Sequence, residues 1–366
     1  MEILPKTLGT RPRLAVEVRA EGVVAARAED AAALLTAVAR ADLAEGAVAP
    51  GLKAGNIVNR TAVTAALRKV LDGVAGSGRE RLRDVTVIVP DSAVRVLFVD
   101  FDQLPSKAVE ALPVVRFRLK KLLPFDADEA MVSYQVMSSE KNSVKLLAVA
   151  MPKAVLEEYE SVVLAAGYLP GAVLPSTLAA LAGLEETAGP VLVVNAGLGI
   201  VTTAIVQAGI LLLHRSVDMS AGGSALPAVT SVLPVVSREG TVQEWAQQEP
   251  LGPGGWDRFD AEAAMQTSMV ETSVAREIEI SAAAREVAQA VSVAAAYFED
   301  SLQRSPDQLL VAGTLGAESL AAMMEENGLE GPRVGEIVEP GMIEPGAVTA
   351  RVPRGWLSGV RGALRN

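Results

Sequence analysis

Two apolar strand patterns, one near the N-terminus and one past the middle of the chain, constrain the fold more than any other feature. Residues 13–27 alternate apolar and polar positions around the turn Glu21-Gly22, which predicts a β-hairpin. Residues 191–215 predict two buried strands and a third that follows the turn Ala208-Gly209. Predicted helices and single strands follow both patterns, so we expect an α/β chain of two related lobes.

The elements between and after these patterns alternate in type. Apolar residues at helical spacing predict helices at residues 31–40, 60–72, 106–122, 153–166 and 281–303, and a last one that ends near residue 327. Short apolar runs predict strands at residues 85–89, 131–136, 144–150 and 308–311. Residues 220–271 are rich in Gly, Ser, Ala, Pro and Gln and are predicted to be a flexible insertion.

Composition removes several classes of function. The formal net charge of −11 argues against binding to nucleic acid, since such proteins concentrate basic charge against phosphates. The chain has no cysteine, which excludes disulfides, thiolate metal sites and thiol catalysis and fits a reducing compartment. The uncharged stretch 187–213 has the length of a membrane span, but glycines, Pro190 and polar residues interrupt it. We therefore expect strands there, and the start of the chain shows no secretion signal.

Residues 87–136 carry the strongest family resemblance. They contain VPDSAVR at 89–95, Phe101, VRFRLKKLLPFD at 115–126, Asp128-Glu129-Ala130 and Tyr134. This segment resembles the PilM family, the actin-like proteins of type IV pilus assembly, and the closing GALR at 362–365 resembles the end of those proteins. The order of predicted elements agrees over nearly the whole chain, apart from the insertion.

The resemblance implies a fold and a division into domains. The fold would be α/β, an actin-like (ribonuclease H-like) fold of two lobes with a small FtsA-like inserted subdomain. The first lobe would comprise residues 1–90, completed by about 174–188 and 345–366, and the inserted SHS2-like subdomain would comprise residues 91–173. The second lobe would comprise residues 189–344, with the flexible insertion at about 220–271.

The resemblance also implies a cleft between the lobes that holds ATP with Mg²⁺ in many members. Such clefts use two strand–turn–strand phosphate loops with the pattern Asp-x-Gly, in which glycine lets backbone N–H groups approach the phosphates. In this chain Glu17 takes the Asp position of the first loop and Arg19 takes its Gly position. Arg19 adds a long side chain where close approach is needed, although its cation could pair with a phosphate.

The second phosphate loop is better preserved. Asn195 replaces the Asp and removes its charge, but Gly197 and Gly199 remain and Thr202 and Thr203 follow. The adenosine-contacting turn would hold Gly313 and Gly316, with Glu318 opening the next helix. Because both acidic positions are altered, we expect a degenerate cleft, with no catalytic residue, no metal site apart from Mg²⁺ held with nucleotide, and no efficient hydrolysis.

The partner implied by the resemblance is the cytoplasmic N-terminal tail of a single-span inner-membrane protein, PilN. It would dock in a groove between the first lobe and the inserted subdomain, by main-chain pairing and a few apolar anchors. The residues predicted for this groove are Phe101, Leu104, Arg116, Leu119 and Phe125.

Four further features leave alternatives open. The basic run Arg116, Arg118, Lys120 and Lys121 is either a solvated helix face or a contact for acidic lipid or a partner tail. The tail with Trp356, Val360 and Leu364 either folds back on the first lobe or forms an amphipathic membrane helix, and we expect the fold-back. His214, the only histidine, is expected to be an ordinary surface or edge residue. The start, residues 1–5, loosely resembles the docking tail of PilN itself and is expected to be flexible.

Together these features predict a non-enzymatic scaffold of type IV pilus biogenesis at the cytoplasmic face of the inner membrane. It would be associated with the membrane through its partners, including other pilus assembly proteins, and not through a span. The alternative is an active actin-like ATPase whose nucleotide state switches partner binding or polymerisation. A third possibility is the cytoplasmic domain of a type II secretion protein, which would usually continue into a transmembrane helix.

Overall fold

The structure is a computed structural model that describes residues 12–76, 82–185, 189–219, 285–303, 306, 308–326, 333–347 and 352–365. The insertion predicted at residues 220–271 and the start at residues 1–5 lie outside these described residues. Among the described residues, no helix is long and apolar enough to cross a membrane.

The described elements are numbered in chain order. The strands are β1 (Leu14–Val18), β2 (Gly22–Ala28), β3 (Leu35–Asp42), β4 (Asp84–Val89), β5 (Arg95–Phe101), β6 (Ala130–Glu140), β7 (Ser143–Pro152), β8 (Leu169–Pro175), β9 (Val191–Gly197), β10 (Ile200–Gln207), β11 (Ile210–Asp218), β12 (Gln308–Gly313) and β13 (Arg333–Glu336). The helices are α1 (Arg60–Val74), α2 (Ala108–Leu119), α3 (Lys153–Ala165), α4 (Ser176–Ala182), α5 (residues 285–302), α6 (Ala317–Glu326) and α7 (Ser358–Leu364).

The first sheet has the strand order β3-β2-β1-β4-β8. The predicted hairpin is confirmed, with Leu14 opposite Arg27 and Val18 opposite Val23. Every residue of β1 is buried, because α1 and α3 pack on one face of the sheet and α7 on the other. Leu14 and Val16 belong to the cluster on the side of α1 and α3, and Ala15 belongs to the cluster on the side of α7. This alternation is expected because successive side chains of a strand point to opposite faces.

The prediction of a helix at residues 31–40 is wrong, because residues 35–40 belong to strand β3. Leu35, Val38 and Ala41 are buried and recur every three residues, which imitates helical spacing. The segment is nevertheless a strand, paired antiparallel with β2, with Ala41 opposite Val23. Pairing with a neighbouring strand overrides the helical propensity of an alanine-rich segment.

The second sheet repeats the first in its order, β11-β10-β9-β12-β13. In both sheets an antiparallel meander of three strands is followed by two strands that run parallel to the first strand of the meander. Helices α5 and α6 pack on one face of the second sheet through Phe298 and Leu320. This repetition confirms the expectation of two related lobes.

A third, smaller sheet has the order β5-β7-β6. Successive side chains of β7 point to opposite faces of this sheet. Leu146 and Ala148 pack against Val115 and Leu119 of α2, while Leu147 faces the opposite way. In this strand order β6 lies at one edge of the third sheet, just as β8 lies at one edge of the first sheet.

The C-terminal segment folds back on the first sheet, as expected. Trp356, Val360 and Leu364 are almost fully buried in the same cluster as Ala15 and Ile88. Arg361 secures the segment by donating from Nη1 to the carbonyl of Gly183 (2.8 Å) and from Nη2 to Glu185 (3.0 Å). The apolar side chains of this tail are thus not available to a membrane.

Candidate functional site

The first candidate site is the cleft between the first and second sheets, where the loop after β1 meets α4. Arg19 Nη2 lies 2.6 Å from Glu17 Oε1 and donates to Ser176 Oγ at 3.0 Å. Ser176 Oγ in turn donates to Glu17 Oε1 at 2.6 Å. Burial raises the pKa of Glu17, while Arg19 and the Ser176 hydroxyl oppose that rise by stabilising the carboxylate.

Asn195 continues this network from the second sheet. Its Nδ2 donates to Ser176 Oγ and to Thr177 Oγ1, both at 2.9 Å. Thr177 binds Asp91 twice, from its backbone N (3.1 Å) and its hydroxyl (2.5 Å). The side-chain amide of Asn195 therefore links the second sheet to the start of α4.

Glu21 makes a second connection across the cleft. Its Oε1 accepts from the backbone N of Leu198 at 2.5 Å and from Thr314 Oγ1 at 3.2 Å. Leu198 lies between Gly197 and Gly199 in the β9–β10 turn, and Thr314 follows β12. One carboxylate of the first hairpin thus contacts two separate loops of the second sheet.

The structure brings together only part of the predicted nucleotide site. Arg19, Asn195 and Gly197 line the remaining space, and Glu17 lies directly behind Arg19. Thr202 and Thr203 are buried in β10, where Thr202 Oγ1 lies 2.9 Å from Ser216 Oγ. Gly313 packs tightly, since a Cβ there would lie 2.2 Å from the carbonyl oxygen of Ala196. Gly316 precedes α6, and Glu318 is exposed in its first turn.

The cleft as it stands does not fit a magnesium–nucleotide complex. The space left in it measures about 30 Å³, whereas ligand pockets in proteins measure about 300–1,000 Å³. Side chains fill it, and the sequence-based prediction missed three that matter: Glu21, Asp91 and Ser176. Asp91 was visible in the VPDSAVR segment, but nothing in the sequence placed Glu21 or Ser176 beside the second lobe.

His214 lies in β11, an edge strand of the second sheet, which agrees with its expected edge position. It is half-buried, and its Nε2 is shielded from solvent without a hydrogen-bond partner. Burial lowers the pKa of His214, and the negative charge of Asp91 opposes that effect. His214 therefore belongs electrostatically to the cleft.

The second candidate site is a groove of about 400 Å³ between the first and third sheets. Strands β6 and β7 form one wall, and α3, β8 and α4 form the other. Glu160 is the one charged residue among those that line it. Most of its surface is apolar, from Met131, Leu147, Val149, Met151, Val173 and Leu178.

The five residues predicted for a partner groove lie elsewhere. Leu119, the last residue of α2, is fully buried against the third sheet, and Phe101, Leu104 and Phe125 pack against the same cluster. Arg116 donates to the carbonyl of Ala127 at 3.3 Å. None of the five is among the residues that line the groove between the sheets. The groove between the sheets is formed by the face of the third sheet opposite to the one that packs against α2, so whether the five residues contact a partner stays a prediction.

The basic run on α2 is partly neutralised. Lys120 forms an ion pair with Asp128 at 2.6 Å, which raises the pKa of Lys120 and lowers that of Asp128. Between the basic residues, Phe117 is 70% exposed, and Val109, in the first turn of the helix, is 86% exposed. Both alternatives for this helix face, solvent or a contact, stay open.

Comparison with known proteins gives a fold and no sequence family. No family model matches the chain, and no curated protein sequence matches it. Among solved structures, the PilM–PilN type IV pilus biogenesis complex matches with a TM-score of 0.67 and 15% identity, over 96% of this chain and 98% of that chain. The described architecture and this similarity confirm the predicted fold. The chain has an actin-like fold of two lobes with a small additional sheet.

Two weaker similarities were also found. The ethanolamine utilization protein EutJ from Carboxydothermus hydrogenoformans matches with a TM-score of 0.43 and 12% identity, over 98% of this chain and 90% of that chain. The cytoplasmic domain of EpsL, an inner-membrane component of the type II secretion system of Vibrio cholerae, matches with a TM-score of 0.37 and 14% identity, over 56% and 71%. Neither similarity is close enough to carry a functional argument.

Proposed function

We propose that this protein is a cytoplasmic scaffold of type IV pilus biogenesis that binds the N-terminal tail of a PilN-like inner-membrane protein. Two observations support the proposal. The fold is similar to that of the PilM–PilN complex over nearly the full length of both chains. The groove between the first and third sheets has the size and lining that a peptide needs. The second observation carries the proposal, because a fold alone does not define a function.

The groove suits an extended apolar segment. Edge strands β6 and β8 both border it, and an edge strand presents backbone N–H and C=O groups that a peptide can pair with. The apolar side chains on both walls, such as Val149 and Val173, can receive alternate side chains of the peptide. Backbone pairing would supply affinity, and the apolar contacts would supply selectivity.

The alternative function, an ATPase whose nucleotide state switches partner binding, finds less support. It needs a cleft that admits a nucleotide, whereas Arg19 and Glu21 occupy the space between the lobes. We propose that the protein does not hydrolyse ATP and that its attachment to the membrane is made through the partner. The domain division predicted from sequence is kept as part of this proposal.

The proposal is tested by fluorescence anisotropy with a labelled N-terminal peptide of the candidate membrane partner. We expect binding by the wild-type protein, with the same affinity in the presence and absence of Mg-ATP. Ser133→Trp, which places a large ring in the groove, should weaken binding about tenfold or more, a change of about 1.4 kcal/mol.

Ser139→Trp is the matched control, since Ser139 is exposed on the same strand but does not line the groove. It should bind the peptide as the wild type does. No binding by the wild type under either nucleotide condition would refute the proposal, and equal losses in the two variants would show that the peptide does not use the groove.

A further inference from the structure

We infer that Arg19 and Glu21 together form an internal clasp in the cleft: Arg19 takes the place of a metal ion beside Glu17, and Glu21 takes the place of a phosphate group and ties the two lobes together without nucleotide. The inference goes beyond the proposed function, which needs only the groove. It concerns what holds the cleft in its present shape. Each half of the clasp is visible as a specific set of contacts.

Glu21 supplies the anion. Backbone N–H groups at a glycine-bounded turn form a concave site that favours negative charge, as in phosphate-binding loops. Here the N–H of Leu198, between Gly197 and Gly199, points at Glu21 Oε1 at 2.5 Å. Thr314, from the turn that would contact adenosine, adds a hydroxyl at 3.2 Å. The carboxylate therefore binds where a ligand phosphate would otherwise be expected.

Arg19 supplies the cation. Glu17 is fully buried, and a buried carboxylate requires a nearby positive charge. The guanidinium of Arg19 meets this need at 2.6 Å and reaches Ser176 of α4 as well. The ring of buried Trp356 lies 6.0 Å from the centre of this guanidinium and limits its freedom on another side.

The geometry around Gly197 supports the same conclusion. A Cβ at this position would lie 3.4 Å from Glu21 Oε1 and 3.5 Å from Arg19 Nη1. Those separations are ordinary contacts, so the glycine lies directly against both halves of the clasp. The close backbone approach that a phosphate loop offers to a nucleotide is here used by two side chains of the protein itself.

The clasp predicts how a nucleotide would be excluded. A phosphate that approaches Leu198 must displace the Glu21 carboxylate, and it meets repulsion from that charge until it does. A metal ion that approaches Glu17 must displace the Arg19 guanidinium. The cleft is thereby held by permanent contacts, and its state does not depend on a diffusible ligand.

The test is amide hydrogen exchange at Leu198 in the full chain. We expect Glu21→Ala to speed exchange at Leu198 about tenfold or more, because its hydrogen-bond acceptor is lost. Glu45→Ala, at an exposed turn residue after β3, is the matched control and should leave this rate unchanged. Should Glu21→Ala fail to fold, Thr314→Val removes one contact of the same carboxylate and should give a smaller increase.

Two results would overturn the inference. One is an exchange rate at Leu198 that does not change in Glu21→Ala or in Thr314→Val. The other is calorimetric binding of Mg-ATP to the wild type at micromolar concentration, with added protection at Leu198. Peptide binding to the groove is measured on the same variants. If it stays at the wild-type level while exchange fails to change, the clasp is refuted and the proposed scaffold function is not.

Discussion

The cleft and the groove are two concave regions in the described part of the chain, and they differ in what fills them. The cleft is polar, retains about 30 Å³ of space and is crossed by side-chain hydrogen bonds from both lobes. The groove is mostly apolar, measures about 400 Å³ and is bordered by two edge strands. Charged and polar side chains of the protein fill the cleft, whereas the space beside the small sheet is open and lined mainly by apolar side chains.

The largest effect is expected when the positive charge of Arg19 is removed from the cleft. Arg19→Met leaves the buried Glu17 carboxylate without its ion pair, which should lower the free energy of unfolding by about 3–5 kcal/mol. Urea denaturation measures the change. Peptide affinity per folded molecule should be retained, because Arg19 does not line the groove.

The control for this variant is the double substitution Glu17→Gln with Arg19→Met. It removes both charges, so most of the lost stability should return. A double variant as unstable as the single one would show that Arg19 acts through packing against Trp356, and that its charge contributes little.

A smaller loss of stability is expected from a substitution on the side of the third sheet that α2 covers, and it tests whether that side or the groove side binds the peptide. Phe125→Ala removes a half-buried ring that packs against Leu119 and its cluster, and should cost about 2 kcal/mol of stability. Under conditions where the variant stays folded, peptide affinity should equal that of the wild type. A specific loss of peptide binding would instead support the partner site predicted from sequence at Phe101, Leu104, Arg116, Leu119 and Phe125.

The smallest expected effect is the pH dependence of stability that arises from His214. Burial lowers the pKa of His214 in the folded state, so the unfolded chain binds a proton first as pH falls below about 6.5. Stability is therefore fully present above that pH and should fall by up to about 1.4 kcal/mol for each pH unit below it.

His214→Gln should remove this fall between about pH 6.5 and 5.5. The chain has a single histidine, so no other imidazole contributes to the profile. Chemical denaturation at several pH values measures the slope. An unchanged slope in the variant would show that His214 is as accessible in the folded state as in the unfolded chain.

Local patterns predicted most of the architecture. The hairpin at residues 13–27 and the strands at 191–215 were correctly predicted because alternation and glycine turns are properties of neighbouring residues. The segment 31–40 was predicted wrongly, since its apolar spacing is compatible with a helix and only pairing with β2 makes it a strand. The fold-back of Trp356 was predicted by family resemblance, and the structure confirms it.

The sites were predicted less well, for a physical reason. Arg19 and Asn195 stand out in the sequence as departures from a phosphate-loop pattern, which is a local property. Ser176, which bonds to both of them, and Glu21, which bonds to Leu198 and Thr314, do not stand out, because serine and glutamate are common and their roles depend on segments far away in the chain. The five residues predicted for a partner groove belong to α2 or to the side of the third sheet that α2 covers, and their contact with a partner stays a prediction. A strand has two faces, and the sequence of β7 does not say which one a helix covers.

The sequence by itself determined that this chain forms two related α/β lobes and that it has no cysteine thiol. Those properties depend on residue type and short-range spacing. Only the tertiary structure decided that Arg19 and Glu21 fill the cleft and that the open groove lies on the other face of the small sheet. The first outcome depends on contacts between residues more than a hundred positions apart, as in the bond between Glu21 and Leu198, and the second depends on which face of the small sheet α2 covers. Neither leaves a local pattern in the sequence.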